Sequence, residues 1–288
     1  MNMWFNTRTI ITVIVLALVL ISAVITVWNE IAYRLSPLPP EVADDYSHEY
    51  EQTPYSEQTC NVAGVTFHGT LTTYYVDPTL DPAFADAVAA DSLMYYLAEA
   101  EASPHIQVIL LEVDSYGGLP VAAEELANYI KKNVSKPVIT QIRGAGASAA
   151  YWVASASDVI FASALSDIGS IGVTISYTDN GIANEQSGYT YNELSSGKFK
   201  DMGSPDKTLS AEERALYMRD IQITYDAFVK TVSNNRRLRL EKVYEIADGS
   251  SVMGETALQL GLIDHIGNST DVEKYIHDTY SIEPVICW

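Results

Sequence analysis

Residues 107–113 read QVILLEV, a nearly unbroken apolar run of strand length. A strand with one wet face would alternate in polarity. A run like this is covered on both faces, as in a parallel sheet with helices on either side. The neighbouring segments keep the rhythm such a sheet requires. Residues 62–71, 137–142 and 159–162 read as strands, and 91–101, 120–132 and 147–156 read as helices. This alternation predicts an α/β fold with a mainly parallel sheet and flanking helices. Further on, Ser210 and Glu213 have capping-box spacing, and Tyr217, Ile221, Tyr225, Phe228 and Val232 follow at helical intervals. That stripe reads as core or subunit contact. Residues 254–260 read as a short helix ended by Gly261 and followed by a strand at Leu262 and Ile263.

A second apolar segment lies outside this pattern. Residues 9–28 form 20 positions without a charge. At about 1.5 Å per residue they reach roughly 30 Å, the thickness of a bilayer's hydrocarbon core. The segment has no polar stripe, and no small-x-small cleavage site follows it, so an uncleaved transmembrane anchor is expected with Trp28 at the interface. Residues 36–58 hold Pro37, Pro39, Pro40 and Pro54 among acidic and polar side chains, a linker composition. The expected organisation is a short cytoplasmic segment at 1–8, an anchor at 9–28, an extended linker at 29–59 and one folded domain at 60–288. Arg8 before the span and Arg34 after it give only a slight orientation bias. Cys60 and Cys287 bracket the folded part, which suits a disulfide in an oxidising compartment; two unrelated buried thiols fit the same count. The expectation is a single-pass cell-membrane protein with its domain outside the cytoplasm. Seventeen basic against 37 acidic side chains give a formal charge of −20. Such a surface repels phosphate backbones and argues against nucleic acid as a partner.

Three loops could carry chemistry, all at strand ends, where open α/β sheets place their sites. Asp114-Ser115-Tyr116-Gly117-Gly118 follows the buried strand, and a glycine pair there exposes peptide N–H groups. Alone it is an ordinary βα turn. Gly144 to Trp152 places Ser148 among tiny neighbours at a helix start, where amides and the helix dipole favour negative charge. Alone it is tight helix-on-sheet packing. Ser195 to Pro205 carries Lys198 and Lys200, and surface lysines are usually only solvated. The five histidines have no strand-end glycine or serine context, so a Ser-His-Asp triad is hard to assemble. No metal-ligand spacing of the HExxH or CxxC kind occurs. If Ser148 is a nucleophile, a lysine is the available base.

Taken together the loops resemble the signal peptide peptidase A family, membrane-bound Ser/Lys peptidases of the ClpP/crotonase fold. The matching stretches are VILLEVDSYGG, KPVITQIRGAGASAAYWVASASDVIFA, GSIGVTISY, SGKFKDMGSPDKTLSAEE and ADGSSVMGETALQLGLIDHIG, in the family's order. The resemblance implies Ser148 as nucleophile and Lys200 as general base, with Lys198 as its rival two residues away. It implies Ser170 as a hydroxyl that orients the lysine, and the amides of Gly118 and Ala149 as the oxyanion hole. It implies no cofactor or metal, peptide substrates that include signal peptides and other membrane-associated peptides, and a homo-oligomer in which neighbouring subunits share a site. Two departures stand out. The family's Ser-Gly-Gly is Ser148-Ala149-Ala150 here, which would place two methyl groups on the pocket floor. Its Ser-Pro-Gly-Gly turn is Ser115-Tyr116-Gly117-Gly118.

A lysine is a base only when uncharged. With an ordinary pKa of about 10.4, roughly one lysine in a few thousand is neutral at pH 7, and burial must supply about 4 kcal/mol to change that. Phe199, Met202 and Tyr151 are the walls expected to provide it. A scaffold of the same fold without turnover is the alternative reading, favoured by the Ala149-Ala150 departure. A crotonase-type acyl-CoA enzyme ranks third, because it would need neither a Ser/Lys pair nor a membrane span.

Overall fold

A computed structural model describes residues 59–288 together with the single positions Ser22 and Tyr55. The expected anchor at 9–28 and almost all of the linker lie outside the described residues. Among the described residues no helix is long and apolar enough to cross a membrane.

The apolar run at 107–113 falls in β4 (Val108–Ser115), which lies inside the main sheet. Its partners are β1 (Val62–His68) and β5 (Val138–Ala147), both parallel to it. Beyond β5 comes β6 (Val159–Ala162), then the short β9 (His265–Ile266), again parallel. On the other edge β10 (Ile286–Cys287) runs parallel to β1. The mainly parallel α/β architecture is therefore present.

Alternate residues of β4 serve opposite faces, as a pleated strand requires. Ile109, Leu111 and Val113 join the larger core with α1 (Ala90–Ala102) and α2 (Pro120–Asn133), through Leu93, Leu97, Leu126 and Ile130. Val108 and Leu110 join the smaller one with Val272 and Ile276 of α8 (Ser269–Tyr280). Both faces are covered, so the run has no polar alternation.

Two strand readings need correction. The strand expected at 62–71 is two strands. β1 follows β4 as far as His68 opposite Asp114, after which β2 (Thr70–Thr72) pairs with β3 (Ala87–Ala89) in a separate small sheet. The cause is a competing partner: the Gly69 amide donates to Asp114 O, while Thr70 N–H turns to Asp86 O. The strand expected at Leu262 and Ile263 is a connection whose side chains are buried. The pairing falls instead on His265 and Ile266, opposite Phe161 and Ala162.

β5 changes neighbours along its length. Up to Ile142 it pairs with β6, and from Ala145 it pairs with β7 (Asp167–Gly169). The register against β4 shifts between Val113 and Ser115, and the Asp114 carboxylate takes the Ala145 N–H at 3.0 Å across the shift. β8 (Ser251–Met253) then pairs antiparallel with β7. This local second layer extends the chain to a joint at Ser148.

The long helix α5 (Ala211–Arg236) begins with the expected capping box, Ser210 and Glu213 each bonding the other's backbone N–H. Only its C-terminal half reaches the core, through Phe228, Val229 and Val232. Arg236 fixes that end by two hydrogen bonds to Asp264, at 3.0 and 2.7 Å. Asp264 in turn accepts the Ile160 N–H at 2.8 Å. Ahead of the helix, no residue from 174 to 210 is buried.

Cys60 and Cys287 are joined, 227 residues apart in sequence. The bond ties the start of β1 to the last strand. Closing so long a loop restricts the unfolded chain, by up to about 5 kcal/mol in the chain-entropy treatment. Cys287→Ser, or reduction of the native chain, is expected to remove that stabilisation, read as a lower urea midpoint of unfolding. Equal midpoints with and without reductant would show that the bond contributes nothing.

Candidate active site

Ser148 occupies the joint between β5 and the short helix α3 (Ala149–Ala154). Its backbone lies at φ 52° and ψ −125°, which side-chain-bearing residues rarely adopt. Such a conformation costs on the order of 1–3 kcal/mol and persists only where surroundings enforce it. They do so here. The Ser148 N–H donates to Gly169 O of β7 at 2.7 Å, and its carbonyl accepts the Trp152 N–H at 3.0 Å. The result is a sharp strand-to-helix turn that presents the hydroxyl, the geometry used by nucleophilic serines. Among the described residues the Ser148 Oγ has no hydrogen-bond partner.

Facing Ser148 is the Gly117-Gly118 turn. A Cβ on Gly117 would sit 2.9 Å from Ser148 Cβ, and one on Gly118 would sit 2.1 Å from Leu71 O. No side chain fits at either place. Leu71 N–H donates to Gly117 O and Leu119 N–H to Leu71 O, both at 2.9 Å, a ladder that leaves the Gly118 N–H unused. The Ala149 N–H belongs to the first turn of α3, where no earlier carbonyl of the helix can take it. Gly118, Ser148, Ala149 and Ser170 all line one cavity of about 470 Å³.

Ser170 also has a left-handed backbone, at φ 48°. Its N–H donates to Ser250 O and its hydroxyl to Gly249 O, each at 3.0 Å. The hydroxyl thus fastens the loop that precedes β8 to the cavity wall.

Lys200 is not part of this lining. It lies on the exposed segment, with its backbone N–H on Gly197 O at 3.0 Å and no partner for its ammonium among the described residues. Lys198 forms an ion pair with Glu212 and sits 5.2 Å from the centre of the Phe199 ring. A third lysine, Lys207, bonds Glu193 at 3.0 Å and Glu213 at 3.1 Å. The Glu193 bond, reinforced by Glu213, raises its pKa well above the ordinary lysine range, so Lys207 remains charged and serves structure.

None of the three expected walls, Phe199, Met202 and Tyr151, lines the cavity. Tyr151 is fully buried, its hydroxyl donating to Leu262 O at 2.8 Å, and burial pushes its pKa upward. It is a core pillar and does not line the cavity. The next residue does: Trp152 lies flat on Phe228, ring centres 4.6 Å apart and planes 6° apart. Ala150 also belongs to the core, so only the Ala149 methyl borders the cavity. Sequence reading missed Trp152 and the Phe228 contact because both sit in apolar patterns that look like core. It also left Asp248 without a role, although the residue falls in one of the quoted stretches and lines the cavity.

The model of peptidase family S49 matches residues 130–282, more than half of the chain. The chain belongs to peptidase family S49. The earlier resemblance to the signal peptide peptidase A proteins thereby holds at the level of family. A protein of Methanocaldococcus jannaschii, provisionally named a protease, is 33% identical over 187 residues, covering 65% of this chain and 60% of its own length. One from Enterococcus faecium, provisionally named signal peptide peptidase SppA, is 35% identical over 186 residues, covering 62% and 54%. The chloroplastic serine protease SPPA of Arabidopsis thaliana is 29% identical, covering 63% and 27%. The chain therefore spans less than two thirds of these S49 relatives.

The Trp152 Nε1–H is buried without a hydrogen-bond partner among the described residues. Trp152→Phe gives up no hydrogen bond and loses only part of the ring volume, so it is expected to cost clearly less than removal of the whole ring. Trp152→Ala empties the floor and is expected to cost about 3–5 kcal/mol. Denaturant unfolding of the two variants checks the contrast.

Proposed function

We propose that this chain is a membrane-anchored serine endopeptidase in which Ser148 of one copy is served by Lys200 of a neighbouring copy. The observation that carries the reading is the enforced turn at Ser148, set against two unused amides on the same cavity. In the proposed reaction the neutral Lys200 amine takes the Ser148 proton, and the Ser148 oxygen attacks the scissile carbonyl. The oxyanion rests on the Gly118 and Ala149 N–H groups. The ammonium returns its proton to the leaving amine, and water then releases the acyl group.

A second copy is part of the reading because, among the described residues, no lysine or histidine lines the cavity with Ser148. The segment that bears Lys200 is suited to reach outward. Leu194, Tyr189 and Ile182 on it are 99%, 71% and 67% exposed, an apolar display that contact with another subunit would cover. The same contact would strip water from Lys200, which a neutral amine requires. Ser170, already on the cavity wall, is the hydroxyl proposed to orient the incoming amine.

The apolar residues 9–28 support a single-pass anchor, and the Cys60–Cys287 bond supports a domain outside the cytoplasm. Confinement beside the bilayer would raise the site's effective concentration toward hydrophobic peptides there. The Enterococcus faecium relative's name supports signal peptides among them.

A catalytically silent scaffold is the second reading, favoured by the lack of a lysine or histidine in the lining among the described residues. Mixing separates the two. Ser148→Ala and Lys200→Ala chains are each expected to lose at least about a thousandfold in kcat/KM. Co-assembled in equal amounts, they regain activity at roughly a quarter of the sites, since each shared site needs one group from each partner. Inactive mixtures beside active native chains would place the base elsewhere. No turnover by native chains, and no mass increase from a serine-directed acylating probe, would favour the scaffold.

A further inference from the structure

The cavity beside Ser148 combines two surfaces that a purely apolar pocket does not need. Its floor is the Trp152–Phe228 stack, 3% and 1% exposed, with half-buried Tyr225 beside it. Asp248, an exposed residue, also lines it.

The Asp248 loop is held on several sides. The Tyr225 hydroxyl donates to Ala247 O at 2.9 Å, and the Ser170 hydroxyl donates to Gly249 O at 3.0 Å. Gly249 N–H donates to Ile171 O at 3.1 Å. Asp248 Oδ1 accepts the Ser250 N–H at 2.8 Å and the Ser250 hydroxyl at 2.6 Å. These donors hold the carboxyl below its usual range, so the group is charged at neutral pH. No cation among the described residues contributes to that shift. The turn uses Oδ1 and leaves Oδ2 to other partners. A turn-forming aspartate is common, but one that adds a fixed, unneutralised charge to an aromatic cavity beside a nucleophile is suited to selecting a ligand.

We infer that Asp248 sets the substrate preference of this cavity, selecting peptides whose side chain beside the scissile bond has an apolar stem and a cationic end. Lysine and arginine have that form. Their methylenes would lie against the apolar wall to which Trp152, Phe228 and the half-buried Tyr225 contribute, while the charged end reaches Asp248. A glutamate in the same place meets like charge. The chain's formal charge of −20 acts in the same direction by raising the local concentration of cationic peptides. This inference rests on the peptidase reading above.

The test uses the full-length chain in detergent with peptide substrates that differ at one position, lysine, norleucine or glutamate, on the acyl side of the cleaved bond. Norleucine matches lysine's stem without its charge. For the native chain the lysine-to-norleucine ratio of kcat/KM is expected at roughly 5- to 30-fold, the reach of one partly exposed charge pair with aromatic support. Asp248→Asn keeps an oxygen for the Ser250 N–H and removes the charge, so the ratio should fall toward one and the discrimination against glutamate should shrink. Asp248→Glu keeps the charge on a longer stem and should retain part of the preference. An unchanged ratio in Asp248→Asn, or no preference for lysine in the native chain, overturns the inference while norleucine cleavage leaves the peptidase reading standing. If no substrate is cut and the acylating probe leaves Ser148 unmodified, the peptidase reading fails and the inference fails with it.

Discussion

One strained peptide organises the whole site. Ser148 is held in a conformation its side chain disfavours because its N–H must meet Gly169 O, and that carbonyl is in place only because β5 trades β6 for β7. The trade requires the register shift against β4, which the Asp114 carboxylate bridges. The Gly117-Gly118 turn must then come close enough that neither position admits a side chain. Hydroxyl, amides and cavity are thus consequences of one exchange of strand partners. The energy that enforces it comes from a sheet buried on both faces, far larger than the local strain.

What that exchange builds is, in the proposed reading, half of a catalytic apparatus. A serine with two unused amides can bind and stabilise developing charge but cannot remove its own proton. The only lysine of the exposed segment gripped by several carboxylates, Lys207, is committed to fastening that segment to the start of α5. Lys198 is engaged by Glu212. Lys200 alone of the three has an ammonium without a partner among the described residues. In the proposed reading such a division of labour is a simple safeguard for a peptidase, since a subunit on its own would hold the nucleophile without Lys200 beside it.

The parts legible in the sequence are those where one physical signal dominates. Residues 107–113 declare a doubly covered strand because four apolar residues in a row, Val108 to Leu111, leave no polar alternation, and Ser210 with Glu213 declares a helix start because two side chains answer two backbone donors. Short strands were not legible. β7 and β8 have three residues each, too few for any periodicity, and their pairing is decided by the joint at Ser148. The division of 62–71 into β1 and β2 was hidden for a similar reason, since the partner that draws Thr70 away is Asp86, distant in pattern though near in space. The identity of the cavity floor was hidden differently. Tyr151 and Trp152 are adjacent aromatics, and only the packing of α5 decides that the first is a pillar and the second a wall. Periodicity registers that both are buried and cannot tell a core face from a cavity face.

The same distinction bears on Ala149-Ala150, the feature that favoured an inactive scaffold. Two methyls on a pocket floor would obstruct a substrate backbone, but Ala150 turns into the core and only Ala149 borders the cavity. α3 has six residues, too short to be stable by propagation alone. Each alanine in place of glycine favours the helical state by about 1 kcal/mol. A firmer first turn keeps the Ala149 N–H aimed at the cavity and resists relaxation of the strained serine before it. The replacement therefore gives up a little room beside Ser148 and gains rigidity in the element that presents it, which suits a working nucleophile better than a discarded one.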